Sequence, residues 1–333
     1  MMLVTGSTGI VGTRILFDLL KSGEPVRALK QKNSDTDFVR KVFNFYDPEK
    51  GNQLFENIEW FDGDITDIES IIPAFRGIKH CYHCAALVSY DPRDRENLLE
   101  INGLGTANVV NAALENGVAK MCHISSVSAL GRAKKGILTD ETYHWTRESN
   151  ASNYGMSKFM AEREVWRGTA EGLPAVIVNP GVILGPSKPD QSSGMLMSVL
   201  KKGVAFYPKG VVGYIDVRDV SAICIQLTNS EIRNKRYLLI GENKTYLDFL
   251  STAAKIFGNK PPKIKLHPWM LTLGWIGARG LSLISGKKPK ITREVAQSSS
   301  RENAFSNEKI REAISFTFVP VEEALLYYRS FFD

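Results

Sequence analysis

No apolar run in the 333 residues is long enough to cross a bilayer as a helix. The most extended candidate, Pro268 to Gly286, is broken by Arg279 and by internal glycines. A secretory leader is also missing, because Met1-Met2-Leu3-Val4-Thr5 runs straight into glycine-rich sequence without a basic segment or cleavage site. A cytoplasmic protein without stable membrane insertion is therefore expected. Cysteine is scarce. Four residues, Cys81, Cys84, Cys122 and Cys224, cannot staple a chain of this length. Cys81 and Cys84 match C-x-x-C, but they fall on a buried strand where positions three apart face opposite sides, and no second ligand pair exists for zinc. No metal is expected. Charged residues make up 23% of the chain, and 27 glycines and 14 prolines are spread along it, which excludes a disordered or fibrous protein.

Acidic residues are absent from one stretch. Between Phe249 and Arg293 there is no Asp or Glu against nine Lys and Arg, so the net charge of +6 belongs to that segment alone. Such a charge is too mild to predict a nucleic-acid partner. A solvated rim is the preferred reading, with an anionic substrate or a membrane surface as alternatives.

What is present is a regular alternation. Short apolar runs at Met2–Thr5, Val26–Leu29, Ile58–Phe61, Lys79–His83, Lys120–Ile124 and Ala175–Asn179 are separated by helical patterns, among them 10–21, 95–116 and 152–171. That order predicts an α/β fold, a doubly wound parallel sheet covered on both faces, with ligands beyond the carboxyl ends of its strands. After Pro180 the pattern becomes irregular, apart from a late strand near Arg236–Ile240 and helices near 246–257 and 320–332. Residues 1–180 are expected to form a dinucleotide-binding domain. Residues 181–333 are expected to form mostly a smaller C-terminal substrate-binding lobe, with some segments returning to the first domain.

The first strand leads into Gly6-Ser7-Thr8-Gly9-Ile10-Val11-Gly12. Gly6 permits the tight turn, Gly9 lets the backbone approach a pyrophosphate, and Gly12 lets the helix pack on the strand. The helix N-terminus offers unpaired N–H groups to the phosphates. Past the second strand, where an NAD site usually carries Asp or Glu, stand Lys30, Gln31 and Lys32. These lysines suit the 2′-phosphate of NADP, with NAD the alternative. Asp64 and Ile65, after the third strand, are placed to border the adenine.

Tyr154 and Lys158 lie four apart on one helix. A free phenol has a pKa of about 10, and a nearby ammonium lowers it, so that tyrosine can exchange a proton with a substrate oxygen. Ser125-Ser126 ends the preceding strand and offers a hydroxyl to hold that oxygen.

These motifs, with Ala85-Ala86, Asn102, Gly105-Thr106 and Asn179-Pro180, resemble the extended short-chain dehydrogenase/reductase family of NAD-dependent epimerases and dehydratases. The resemblance covers most of the chain and implies a Rossmann domain. It further implies a Ser126–Tyr154–Lys158 triad, Lys158 on the nicotinamide ribose, Ala85 and Ala86 along the cofactor, and Pro180 and Val182 beside the nicotinamide. The run from Tyr154 through Ala161-Glu162 to Gly185-Pro186 is similar to the dihydroflavonol reductase and cinnamoyl-CoA reductase branch. Val127-Ser128 stands where the dehydratases carry an Asp-Glu pair, and Val212-Gly213 where the epimerases place a diphosphate-binding Arg. The expected activity is NADP-dependent reduction of a small-molecule aldehyde or ketone. A nucleotide-sugar epimerase is the alternative, and a non-catalytic dinucleotide sensor a third reading, disfavoured by the intact triad. By analogy with that family, helices 95–116 and 152–171 would pair in a homodimer.

Overall fold

The computed structural model describes residues 1–131, 136–143, 145, 152–189, 192–267, 269–270 and 303–332. Its centre is a parallel sheet. Strands β1 (Met2–Thr5), β2 (Val26–Lys30), β3 (Glu59–Asp62), β4 (His80–His83), β5 (Lys120–Ile124) and β6 (Ala175–Pro180) precede three short strands, β7 (Val182–Leu184), β8 (Phe206–Pro208) and β9 (Val211–Asp216). A seventh sheet strand, β10 (Lys235–Leu239), then pairs with β6 and completes the order β10-β6-β5-β4-β1-β2-β3. All four residues of β1 are buried, as a parallel strand covered on both faces requires. Met2 and Val4 enter one apolar cluster and Leu3 the other.

Helices cover both faces. On one side lie α1 (Ile10–Lys21), α2 (Thr36–Tyr46) and α3 (Gly51–Glu56). On the other, α4 (Ile68–Ile71) and the pattern expected at 95–116 pack down. That second pattern is not one regular helix. It runs as α5 (Arg95–Leu98), a π-helical turn over Leu99–Leu104, and α6 (Gly105–Glu115). The expected helix at 152–171 is α7 (Asn153–Ala170), capped by the Ser152 side chain, which accepts from the Gly155 N–H.

After Pro180 the chain is more regular than its sequence suggests. It forms α8 (Ser192–Lys202) and α9 (Val217–Asn229), and α9 packs along α1 against the sheet. The remaining elements are β11 (Glu242–Thr245), α10 (Tyr246–Phe257), β12 (Ile264–Leu266), α11 (Glu308–Ala313) and α12 (Val321–Phe332). Strands β11, β9 and β7 make a three-stranded sheet, and β12 pairs with β8. The terminal helix buries Val321, Ala324, Leu325 and Tyr328, and the Tyr328 hydroxyl donates to Asp216 Oδ1 at 2.7 Å.

All four cysteines are free, with Cys81 in one core cluster and Cys84 against the other. Among the described residues no helix is long and apolar enough to cross a membrane, and no cluster of metal-binding side chains occurs. Trp269 is exposed, whereas most of the apolar run through Ile284, and the basic residues from Arg279 to Arg293, lie outside the described residues.

Candidate active site

The glycine turn has the shape that a dinucleotide needs. Gly6 takes φ +62°, and a Cβ there would stand 2.5 Å from the Ala85 backbone nitrogen. A Cβ on Gly12 would stand 2.2 Å from the Gly6 carbonyl, so strand and helix approach at a distance only glycine allows. Gly9 is the N-cap of α1 and offers no side-chain hydrogen bond to the helix, and the first turn holds no acidic residue. The N–H groups of the first turn, around Ile10 and Val11, therefore remain available for phosphate oxygens. Ser7 is fully buried and donates to the Leu29 carbonyl at 2.8 Å, so its hydroxyl braces the loop against β2. Thr8 is half-buried at the turn.

The residues expected to border the adenosine are more committed to one another than the sequence suggests. Lys30 forms an ion pair with Asp62 across the β2–β3 pairing. Gln31 donates to Asp64 Oδ2 at 2.8 Å, and Asp64 Oδ1 accepts from the Thr66 N–H and hydroxyl at 2.9 and 2.8 Å. Burial works to raise the Asp64 pKa, but these hydrogen bonds prevail and hold it below the ordinary carboxylate value. Lys32 is exposed and has no ion-pair partner among the described residues. Ile65 is buried against Gly105, whose missing side chain leaves room for it.

Along the cofactor path, Ala85 donates its N–H to the Thr5 hydroxyl at 3.2 Å. The loop carrying Ala85 and Ala86 is pinned by Asn102, whose Oδ1 accepts from the Leu87 N–H at 2.7 Å and whose Nδ2 donates to the Leu87 carbonyl at 2.9 Å and to Ser157 at 2.8 Å. Asn102 sits in the π-helical turn, which sets its side chain toward this loop. Pro180 ends β6 as a buried residue, while Val182, two residues on, is 37% exposed.

The three residues expected to form the triad, Ser126, Tyr154 and Lys158, converge where β5 ends. Ser126 and Ser125 point apart: the Ser125 hydroxyl is buried and donates to Glu162 at 2.5 Å, whereas the Ser126 hydroxyl caps a short turn and faces the Tyr154 phenol. Burial pushes the Tyr154 pKa up, the nearby Tyr90 adds to this, and the Ser126 hydroxyl draws it down. Tyr90 meets the Tyr154 ring edge-on, with centroids 5.7 Å apart. Lys158 is 3% exposed, and its ammonium donates to the Ile124 carbonyl at 2.8 Å. Burial brings the Lys158 pKa down to about 8, against the opposing pull of Glu162 and Cys84. The sequence expectation that Lys158 lowers the Tyr154 pKa is thus not what this arrangement displays: the acidifying neighbour of Tyr154 is Ser126, and the ammonium is turned to a backbone carbonyl.

Sequence reasoning gave Glu162 and Asn179 only as parts of the family resemblance and did not bring Tyr90 or Arg236 to this centre. Glu162 carried a signal, since it continues the Tyr154–Lys158 spacing by one more helical step. Trp145, which follows His144 in the loop before α7, stacks on Phe159 with centroids 4.9 Å apart, while His144 lies outside the described residues.

A glycine turn opening an uncapped helix, with Ser126, Tyr154 and Lys158 gathered at the strand ends, fits a dinucleotide-dependent enzyme on a Rossmann fold. The family pattern of NAD dependent epimerases and dehydratases matches residues 2–241. A putative dihydroflavonol 4-reductase of Synechocystis sp. is 29% identical over 329 residues, covering 97% of this chain and 91% of that protein. Cinnamoyl-CoA reductase 1 of Oryza sativa subsp. japonica is 28% identical over 274 residues, covering 79% and 77% of the two chains. The crystal structure of gox2253 superposes with a TM-score of 0.80 at 30% identity, covering 99% of this chain and 98% of that one. The chain belongs to the NAD-dependent epimerase/dehydratase family, within the extended short-chain dehydrogenases/reductases, on the branch similar to dihydroflavonol and cinnamoyl-CoA reductases. It is an NAD(P)-dependent oxidoreductase of that type.

Proposed function

We propose that the protein reduces the carbonyl group of an aldehyde or ketone to an alcohol, with NADPH as the cofactor. The observation that carries this reading is the buried Tyr154 phenol facing the Ser126 hydroxyl, with Lys158 one turn further along α7. Bound along the glycine turn, the cofactor supplies the hydride. Ser126 holds the carbonyl oxygen, and Tyr154 gives up its proton as negative charge develops there. The surrounding burial favours the protonated phenol, which suits a proton donor in the reducing direction. Lys158 would supply the positive charge of the centre and, by the family resemblance, hold the nicotinamide ribose.

Support for NADP is the basic character of the loop after β2. Lys32 is the cation there without an ion-pair partner among the described residues, whereas Lys30 is already paired with Asp62. Val182, exposed at the start of β7, would border the nicotinamide, and Tyr90 would border the substrate carbonyl. The segments after Pro180 that leave the main sheet would take the substrate. A homodimer would form through the helical stretch 95–116 and α7, where Leu104 in the π-helical turn stands 51% exposed.

The test is direct. Binding of NADPH and NADH is titrated first, and NADPH oxidation is then followed over a panel of aldehydes and ketones. Tyr154→Phe should lower kcat by about 100-fold or more while cofactor affinity is kept. A preference for NADH together with turnover of a UDP-sugar would overturn the assignment in favour of an epimerase.

A further inference from the structure

Behind the triad lies a buried carboxylate to which the proposed reaction has so far assigned no task. Glu162 follows Tyr154 and Lys158 on the same face of α7 and is 2% exposed. Its Oε1 accepts from the Ser125 hydroxyl and from Asn179 Nδ2, each at 2.5 Å. Asn179 Nδ2 also donates to the Ser126 carbonyl at 2.8 Å. On the outer side, Glu162 Oε2 receives Arg236 Nη1 at 3.2 Å, and Arg236 Nη2 donates to the carbonyls of Glu141 and Tyr143 at 2.5 and 3.2 Å. One carboxylate thus joins the catalytic helix to the ends of β5 and β6 and to the edge strand β10.

A buried charge is costly unless it is paired, and substituting a neutral amide would keep two of these contacts. The negative charge is paired outward with Arg236, and inward it acts on Lys158, four residues earlier on the same helix. The titratable groups facing the Lys158 ammonium are Cys84 and His83 from the end of β4, His123 from β5, and Glu162 from its own helix. Burial keeps both imidazoles and the thiol neutral, so among the described residues Glu162 is the charge that Lys158 faces.

We propose that Glu162 is a positioning residue of this centre: its carboxylate, held by Arg236, aligns Ser126 through Asn179 and supplies the counter-charge for Lys158. The inference rests on the reductase reading only for its kinetic consequence. Without the carboxylate, Lys158 loses its proton at lower pH, and the centre loses that positive charge inside the working range.

The closing experiment titrates Lys158 by NMR in protein carrying labelled lysine, with the resonance identified through Lys158→Arg. Measurements on wild type, Glu162→Gln and Arg236→Met need no substrate. Glu162→Gln should move the Lys158 midpoint down by about one pH unit, and Arg236→Met, which removes the cation competing for Glu162, should move it up. Opposite signs are the decisive readout, because a loss of packing alone would not give them. Where wild type turns over a carbonyl substrate, Glu162→Gln should lower kcat about fivefold at pH 8 and hardly at pH 6, with KM nearly unchanged. The same midpoint in all three proteins, or a shift of the same sign in both variants, overturns the role given to Glu162. Absence of carbonyl turnover in wild type, with the opposite shifts intact, overturns the reductase reading instead. Should Glu162→Gln fail to fold, Glu162→Asp, which keeps the charge but withdraws it by one methylene, takes its place: a downward Lys158 shift is again expected, and an unchanged midpoint overturns the role.

Discussion

At the scale of single residues, two buried imidazoles make the protein sensitive to acid. His83 binds the hydroxyls of Thr5 and Thr106, and burial, with Lys158 nearby, pushes its pKa down to about 3. His123 lies beside it with ring centroids 5.1 Å apart, and neither of its nitrogens reaches a partner among the described residues. Both rings are neutral in the folded protein and take up protons on unfolding, so stability falls as the pH drops from about 6.5 toward 3. Replacing His123 with Leu should flatten that acid limb and raise stability near pH 5 by about 1–3 kcal/mol, read from urea unfolding across pH. An unchanged limb would mean that His123 already has a partner. Lysines separate at this scale too. Lys32→Ala should weaken NADPH about tenfold and leave NADH nearly unaffected, while Lys30→Ala should cost less because Asp62 already neutralises it. Equal losses for both cofactors would remove the 2′-phosphate from the loop after β2.

Elements differ in how openly the sequence announced them. Strand β1, the glycine turn and α1 were legible because their rules are local: a short apolar run, glycines at fixed offsets, then a 3.6-residue period. Tyr154 and Lys158 were legible for the same reason. Helix α9 was not, because the glycine- and proline-rich sequence before it reads as loop, and only docking along α1 shows where its apolar face goes. The π-helical turn at Leu99–Leu104 was hidden as well, since one extra residue in a turn leaves the apolar period almost intact while redirecting Asn102. Ion pairs across strands, such as Lys30 with Asp62, join positions far apart in sequence and leave no local mark. The close strand–helix approach has a measurable consequence. Gly12→Ala would press a methyl group against the Gly6 carbonyl, which should cost about 1–3 kcal/mol of stability and abolish cofactor binding, followed by urea unfolding and NADPH fluorescence. Retained binding would show that the turn can relax without disturbing its N–H groups.

Across the whole molecule, the end of the chain completes the centre built by its beginning. Helix α12 places Tyr328 on Asp216, the N-cap of α9, and α9 in turn packs on α1. Removing residues 321–333 should therefore lower Tm and weaken NADPH binding; a truncated protein with native affinity would uncouple the two. The sheet order has a further consequence, for synthesis. Strand β6, buried throughout and carrying Asn179, acquires its neighbour β10 only when residues 235–239 are made. At the usual pace of translation, the roughly 60 residues between them take roughly 3 to 12 s to emerge. For that interval the nascent chain presents a bare strand edge able to pair with any other, so chaperone dependence during expression should be set by this late strand.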